Sequence, residues 1–172
     1  PQVWLGLGIT VFGFAGVFAL YAYIEPLLRQ VTHMNDGWVT ATLLLFGAGL
    51  AAGNLLGGRL ADKGVMQALA GSIGALMVTL ALGRWAFGQP GVAMTYVVLL
   101  GTVAFATVAP MQMRVLQQAG AAGANLASSL NISAFNLGNA LGAWVGGLVL
   151  SHGFGLLSLG WAAAGLTAVG CC

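Results

Sequence analysis

The chain has 172 residues, of which 59% are hydrophobic and only 5% are charged. Soluble domains carry about 25% charged residues, so this composition excludes a water-covered globule and leaves lipid as the fitting solvent. The net charge of +2 comes without a basic cluster, which excludes a nucleic-acid partner.

The uncharged runs decide between helices and a barrel, the two structures that satisfy their own backbone in lipid. Residues 1–24, 37–58, 64–83, 85–113 and 115–172 contain no Asp, Glu, Lys or Arg, and the last run is long enough for two crossings. A spanning helix needs roughly 20 apolar residues, whereas barrel strands alternate over about 10, and no such alternation is present. The sequence therefore predicts an all-α polytopic membrane protein with six transmembrane helices, at 3–28, 38–58, 66–86, 92–117, 124–150 and 156–172.

The first helix closes at Tyr21, Tyr23, Glu25 and Pro26, before a polar loop with Arg29, Gln30, Thr32, His33, Asn35 and Asp36. Gln89-Pro90-Gly91 forms a turn, Pro110 interrupts the fourth helix, Ala119 to Gly123 make a small-residue turn, and Ser151-His152-Gly153 closes the fifth helix. Trp4, Trp38, Trp85, Trp144 and Trp161 fall mostly near helix ends, as interfacial aromatics do. Six crossings place both termini on one side. Arg59, Lys63 and Arg114 on that side, against Arg29 and Arg84 on the other, lean toward cytoplasmic termini. Pro1, with no charged segment before the first apolar run, reads as the start of a fragment or trimmed product. Cys171 and Cys172 form no disulfide framework or metal-ligand spacing; they are an incidental chain end or palmitoylation sites. No cofactor or metal is expected.

Two of the helices carry glycines in register among the 28 in the chain: Gly49, Gly53 and Gly57 in the second, Gly138, Gly142 and Gly146 in the fifth. A step of four puts each set on one face, where backbones approach closely. Either the stripes pack within the six-helix set or they meet partners outside the chain.

The stretch Gly57-Gly58-Arg59-Leu60-Ala61-Asp62-Lys63-Gly64 is the most specific local motif. Its glycines suit a tight reversal, Asp62 lies just ahead of a helix N-terminus, where a carboxylate is stabilised, and Arg59 and Lys63 favour the cytoplasmic side. It resembles the signature loop of the major facilitator superfamily. Gly64 follows Lys63 at once, and Val65, Met66 and Gln67 replace the usual basic pair, a departure that fits the weaker copy in the second half of such proteins. Tyr21-Ala22-Tyr23-Ile24-Glu25-Pro26-Leu27-Leu28 resembles the end of their seventh helix. Asn131 to Trp144 resembles their eleventh, most closely in the arabinose-efflux-permease-like branch.

The resemblance implies the C-terminal half of a twelve-helix transporter. It would export sugars or drugs by alternating access, as an ion-coupled antiporter in a bacterial inner membrane. Its partners would be the bilayer, a missing N-terminal six-helix half and a small-molecule substrate. It also implies that both glycine stripes face that missing half, and that Gly58, Asp62, Lys63 and Gly64 form a gating loop. A stand-alone six-helix protein that dimerises into a transporter or channel is the alternative.

For a substrate cavity, the sequence offers Glu25, Asn131, Phe135 and Asn139. Glu25 precedes the helix-interrupting Pro26, although Arg29 four residues on is a ready ion-pair partner. Ser128, Asn131, Phe135 and Asn139 follow steps of three and four, with Asn136 on another face; the asparagines either line a cavity or bond between helices. Met111, Gln112 and Met113 follow Pro110 and suit core filling more than substrate contact. An enzyme is not expected. A six-helix serine protease needs a serine and a histidine at membrane depth, and His33 and His152 both fall in loops.

Overall fold

The computed structural model describes residues 2–170, so Pro1, Cys171 and Cys172 lie outside the described residues. Within that range every regular element is helical. Four runs are long and apolar enough to cross a membrane: Gln2–Val31, Asp36–Lys63, Val65–Ala86 and Pro90–Ser151. A shorter apolar stretch, Leu156–Val169, follows them. The six expected spans therefore appear as four long runs, because the expected fourth and fifth helices join in one run across a kink at Gly120 and the last is short.

Six helices order the description: α1 (Gln2–Tyr21), α2 (Asp36–Lys63), α3 (Val65–Ala86), α4 (Pro90–Ala106), α5 (Val108–Ser151) and α6 (Leu159–Val169). Past α1 the chain makes one helical turn, Ile24–Pro26, and a π-helical turn, Leu27–Val31. Pro26 supplies no backbone N–H there, a common origin of such local rewinding. The Thr32 hydroxyl donates to the Phe87 carbonyl at 3.0 Å and ties this corner to the end of α3. At α2, the Asn35 side chain accepts from the Trp38 N–H at 3.0 Å, an N-cap, and Asp36 and Lys63 lie at the ends where the helix dipole favours them. Pro90 opens α4, where its missing N–H costs nothing.

The run Pro90–Ser151 has 62 residues, about 90 Å if straight at 1.5 Å per residue, far beyond a hydrocarbon core of about 30 Å. It is not straight. The chain breaks at Thr107 between α4 and α5, three residues before Pro110, and again at Gly120, whose φ is 67°. Beyond Gly120 it runs back on itself, because Gln112 Nε2 donates to Ser128 Oγ at 2.9 Å. A positive φ is the conformation that glycine adopts without penalty, and a Cβ at Gly120 would meet nothing within 4 Å. With ψ at 175° this conformation is essentially restricted to glycine, so Gly120→Val should lower stability by about 1–3 kcal/mol through backbone strain alone. Gly120→Asn should cost about as much, as a thermal melt of the detergent-solubilised protein would report.

The helices form two close pairs. α1 packs along α5 and α2 along α4, while α6 lies against α1 and α3. Glycines make both pairs possible. A Cβ on Gly49, Gly53 or Gly57 would collide with the backbone of α4 at Val98, Thr102 and Ala106. One on Gly138, Gly142 or Gly146 would collide with Val11, Ala15, Ala19 or the Tyr23 ring beside α5. The expectation that both stripes face a missing half is thereby corrected: all six glycines are buried inside this chain. The spacing correctly marked two close-packed faces, but their partners are α4 and α1. A third close contact, Gly16 of α1 against Ala163 and Thr167 of α6, carried no repeat in the sequence to mark it.

The main core joins these pairs through Leu20, Leu27, Leu76, Leu80, Phe87, Val97, Leu100 and Leu159. All five tryptophans are exposed, from 54% to 72%, in keeping with a ring of interfacial anchors.

Candidate functional site

The expected signature loop is mostly helix. α2 continues through Arg59, Asp62 and Lys63, and Gly64 alone links it to α3. The tight reversal expected of the motif's glycines falls at Gly64, while Gly57 and Gly58 stay within the helix. A charged turn at an interface does not have to unwind, because its side chains reach water while its backbone stays paired. Gly57 is buried with its Cα side 2.5 Å (for a would-be Cβ) from the Ala106 carbonyl oxygen, whereas Gly58 faces open space. Ala106 lies four residues before Pro110, so its carbonyl is the one that the proline cannot serve. Gly57 therefore packs on the kink of the 90–119 segment. Asp62 sits in the last turn of α2, three residues before α3, and is exposed. Among the described residues, ion pairs join only Arg29 to Glu25 and Asp36.

Glu25 belongs to that charged corner. Its Oε1 accepts from Arg29 Nε at 2.8 Å, and Arg29 also bonds Asp36. The three side chains are 55%, 42% and 86% exposed for Glu25, Arg29 and Asp36. The pairing four residues apart that the sequence allowed is present, at the end of the span and not at its centre.

The α5 polar stripe is divided by burial. Asn131 is completely buried. Its Oδ1 accepts from the Thr10 hydroxyl of α1 at 2.8 Å, and its Nδ2 donates to Gln112 Oε1 at 2.6 Å. With the Gln112–Ser128 bond, these contacts link α1 to both arms of the Gly120 reversal. Gln118 continues the layer: with its amide oxygen toward Arg114 it accepts at 2.9 and 3.0 Å, and its nitrogen donates to the Gln2 carbonyl at 2.6 Å. Thr10 was not a candidate from sequence, although it stands one turn from Gly6 and Gly13 on the packed face of α1; Gln112 was noted only for its place after Pro110. Met111 fills the core at 1% exposure, as its residue type suggested.

Phe135 and Asn139 lie one and two turns further along α5. Phe135 is half-buried and meets the Phe14 ring edge-to-face at 4.4 Å. Phe14 also meets Phe105 of α4 at 6.0 Å, and Tyr21 stacks on Phe46 of α2 at 4.5 Å. Rings from four helices thus bridge the α1–α5 pair and the α2–α4 pair. This seam was missed in the sequence, although Phe14, Phe18 and Tyr21 have helical spacing. Asn139 Oδ1 is buried with no hydrogen-bond partner, a costly state that calls for a donor.

An all-helical set of apolar spans with charges confined to corners, two tightly paired helix couples and a polar-aromatic interior fits a multi-pass membrane protein. No family model matches the chain. It is 49% identical over 156 residues to the inner membrane transport protein YdhP of Escherichia coli, covering 90% of this chain and 40% of that protein. It is 34% identical to the uncharacterized MFS-type transporter YfhI of Bacillus subtilis (95% of this chain, 40% of that one). It is 31% identical to a chloramphenicol resistance protein of Streptomyces lividans (98% and 43%). The chain is a relative of the transporters of the major facilitator superfamily, transport proteins and not enzymes, and its apolar helices fit a multi-pass membrane protein. It spans about 40% of the length of the curated relatives it matches.

Proposed function

We propose that the chain is the C-terminal, six-crossing half of a transporter that exports small organic solutes by alternating access. In this reading residues 1–172 form one domain. The Pro90–Ser151 run supplies two crossings joined at Gly120, and Leu156–Val169 opens the sixth. The observation that carries it is a second face on α2 and α5, beside the buried glycine stripes. There Gly47, Ala51 and Asn54 of α2, and Ser129, Ser133 and Asn136 of α5, are exposed within the apolar runs, and Gly58 is half-exposed. Asn136 and both serines donate to backbone carbonyls of their own helix, yet Asn54 and the Asn136 carbonyl keep capacity to spare. Such groups are costly against lipid, and small residues suit a close helix partner. That face, not the glycine stripes, would meet the other half or line the water-filled path between the halves. The names of relatives, among them a sugar efflux transporter and a purine ribonucleoside efflux pump, support efflux as the direction.

Tryptophan substitution in the full-length protein tests this. Asn54→Trp and Asn136→Trp should each abolish transport, whereas Leu56→Trp and Leu148→Trp, at exposed positions on other sides of α2 and α5, should leave it intact. Equal tolerance at all four positions would sink the half-transporter assignment. Cysteines at Asn54 and Asn136 that cross-link two copies of this chain, and nothing else, would favour the homodimer instead.

Glu25 and the Gly58, Asp62, Lys63, Gly64 corner would act at the two ends of the domain, the latter as a gate against the partner half. Proton coupling through Glu25 has a direct check. Because Glu25 is exposed and paired to Arg29, Glu25→Gln should leave the melting temperature unchanged while uphill export falls. Unchanged export would remove Glu25 from the mechanism.

A further inference from the structure

We infer that the α2–α4 couple is a sliding unit inside this chain, and that α1, α3, α5 and α6 form the body against which it moves. The inference goes beyond the transporter reading, since it concerns how these helices move, whichever solute passes. Three observations lead to it. First, the helices are held together by two kinds of contact, and one kind is main chain on main chain. A Cβ on Gly53 would come within 2.2 Å of the Thr102 carbonyl oxygen, which locks α2 to α4. A Cβ on Gly142 would come within 2.2 Å of the Ala15 carbonyl oxygen, one on Gly16 within 2.5 Å of that of Ala163, and one on Gly160 within 2.8 Å of that of Leu80. These last three contacts run from α5 to α1, from α1 to α6 and from α6 to α3, so they chain four helices into one body. Backbones seated this closely through small residues cannot slide without first lifting apart.

Second, the couple meets that body through side chains. Tyr21 of α1 stacks on Phe46 of α2, with the ring planes 19° apart. Phe14 of α1 meets Phe105 of α4 at 6.0 Å, and Phe87, just past α3, meets Tyr96 of α4 at 5.5 Å. Gly83 of α3 lies against the Tyr96 hydroxyl and not against a backbone. α1 runs along neither α2 nor α4. Contacts between side chains permit the small sliding of packed helices that defines shear motion. One end of this boundary is closed by the Arg29–Asp36 pair, which is exposed, and an exposed ion pair holds weakly.

Third, every passage of the chain between couple and body is a break in regular helix. α1 reaches α2 through the π-helical turn and His33, whose φ is 56°. Gly64 alone separates α2 from α3, residues 87–89 separate α3 from α4, and Thr107 separates α4 from α5. No rigid rod therefore crosses the boundary. In the transporter reading, a slide of α2 would carry Asn54 with it and shift the face offered to the other half.

The experiment places nitroxide pairs on the full-length protein in lipid nanodiscs, with native cysteines replaced by serine, and reads distances by double electron–electron resonance. Thr40 with Thr95 reports the couple, Ala22 with Leu148 the body, and Thr95 with Leu148 the boundary; all four positions are exposed. The couple and body pairs should each give one narrow distance. The boundary pair should give two populations about 2–5 Å apart, between the scale of helix shear and that of a one-turn step. Phe46→Leu, which removes the ring stack, should shift the boundary populations and leave the other two pairs unmoved. A reversible methanethiosulfonate bridge between Tyr21→Cys and Phe46→Cys should collapse the boundary pair to one population, and added thiol should restore two. One narrow distance for all three pairs, unmoved by Phe46→Leu or by the bridge, would overturn the sliding unit and leave the transporter reading standing. Equal broadening of all three pairs would overturn it as well, because the glycine contacts would then be no stiffer than the ring contacts.

Discussion

Gly142→Leu should prevent the protein from folding. A Cβ at this position falls on the Ala15 carbonyl oxygen and against the Ala19 N–H, and neither backbone can retreat without opening the α1–α5 pair along its length. Overpacking a core with extra methylenes costs about 1–3 kcal/mol when side chains can shift. Here the obstacle is main chain, so the cost should exceed that range and consume much of a typical 5–15 kcal/mol of total stability, on the order given for native proteins. Gly53→Leu should behave alike, since its Cβ would strike Thr102 of α4. The controls are adjacent: Gly47→Ala and Gly58→Ala enter open space and should be neutral or stabilising by up to about 1 kcal/mol, the helix propensity of alanine over glycine. Monodisperse yield on size-exclusion chromatography reads all four. Normal yield of Gly142→Leu, or collapse of Gly58→Ala, would refute the assignment of which glycines are packed.

Asn131→Leu should lower stability by about 1–2 kcal/mol, despite the similar volume of the two side chains, because it strips partners from buried polar groups. Thr10 retains the Gly6 carbonyl at 3.2 Å, but Gln112 Oε1 loses its donor. Hydrogen bonds between membrane helices average about 0.6 kcal/mol and reach about 1.7, and the complete burial of Asn131 places this one toward the upper end. Adding Gln112→Leu to Asn131→Leu should cost well below the sum of the two single changes, since the second removes the group that the first strands. Strict additivity in a denaturation series would show that the two side chains do not interact.

Much of the fold was legible in the sequence because uncharged length is nearly sufficient to place a membrane helix. Its errors share one cause. Sequence spacing tells which residues share a face, not what lies opposite. Gly49, Gly53 and Gly57 were correctly grouped, yet their neighbours at Val98, Thr102 and Ala106 lie beyond a whole intervening helix. The end of α2 was read as a turn because Arg59, Asp62 and Lys63 are charged, and charge at an interface is equally at home on a solvated helix end. In the candidate site, the common spacing of Asn131, Phe135 and Asn139 was visible. Their division into a buried knot and a half-open seam was not, since it depends on Thr10 and Phe14 of α1. Of the two asparagines on the proposed second face, Asn54 belongs to no repeated motif that would mark it, and Asn136 was set apart from the stripe as lying on another face.

The pairing of α1 with α5 also has a consequence for biosynthesis. Thr10 and Asn131 are 121 residues apart, so at about 5–20 residues per second of synthesis α1 leaves the ribosome roughly 6–24 seconds before its partner. The α2–α4 couple closes within a much shorter stretch of chain. During that interval the small-residue face of α1 and the Thr10 hydroxyl lie in the bilayer without the helix built to cover them. α1 is therefore the segment most dependent on the insertion machinery or on a membrane chaperone to hold it. Depletion of such a factor should leave nascent chains cleavable next to α1 while α2 to α4 are already protected.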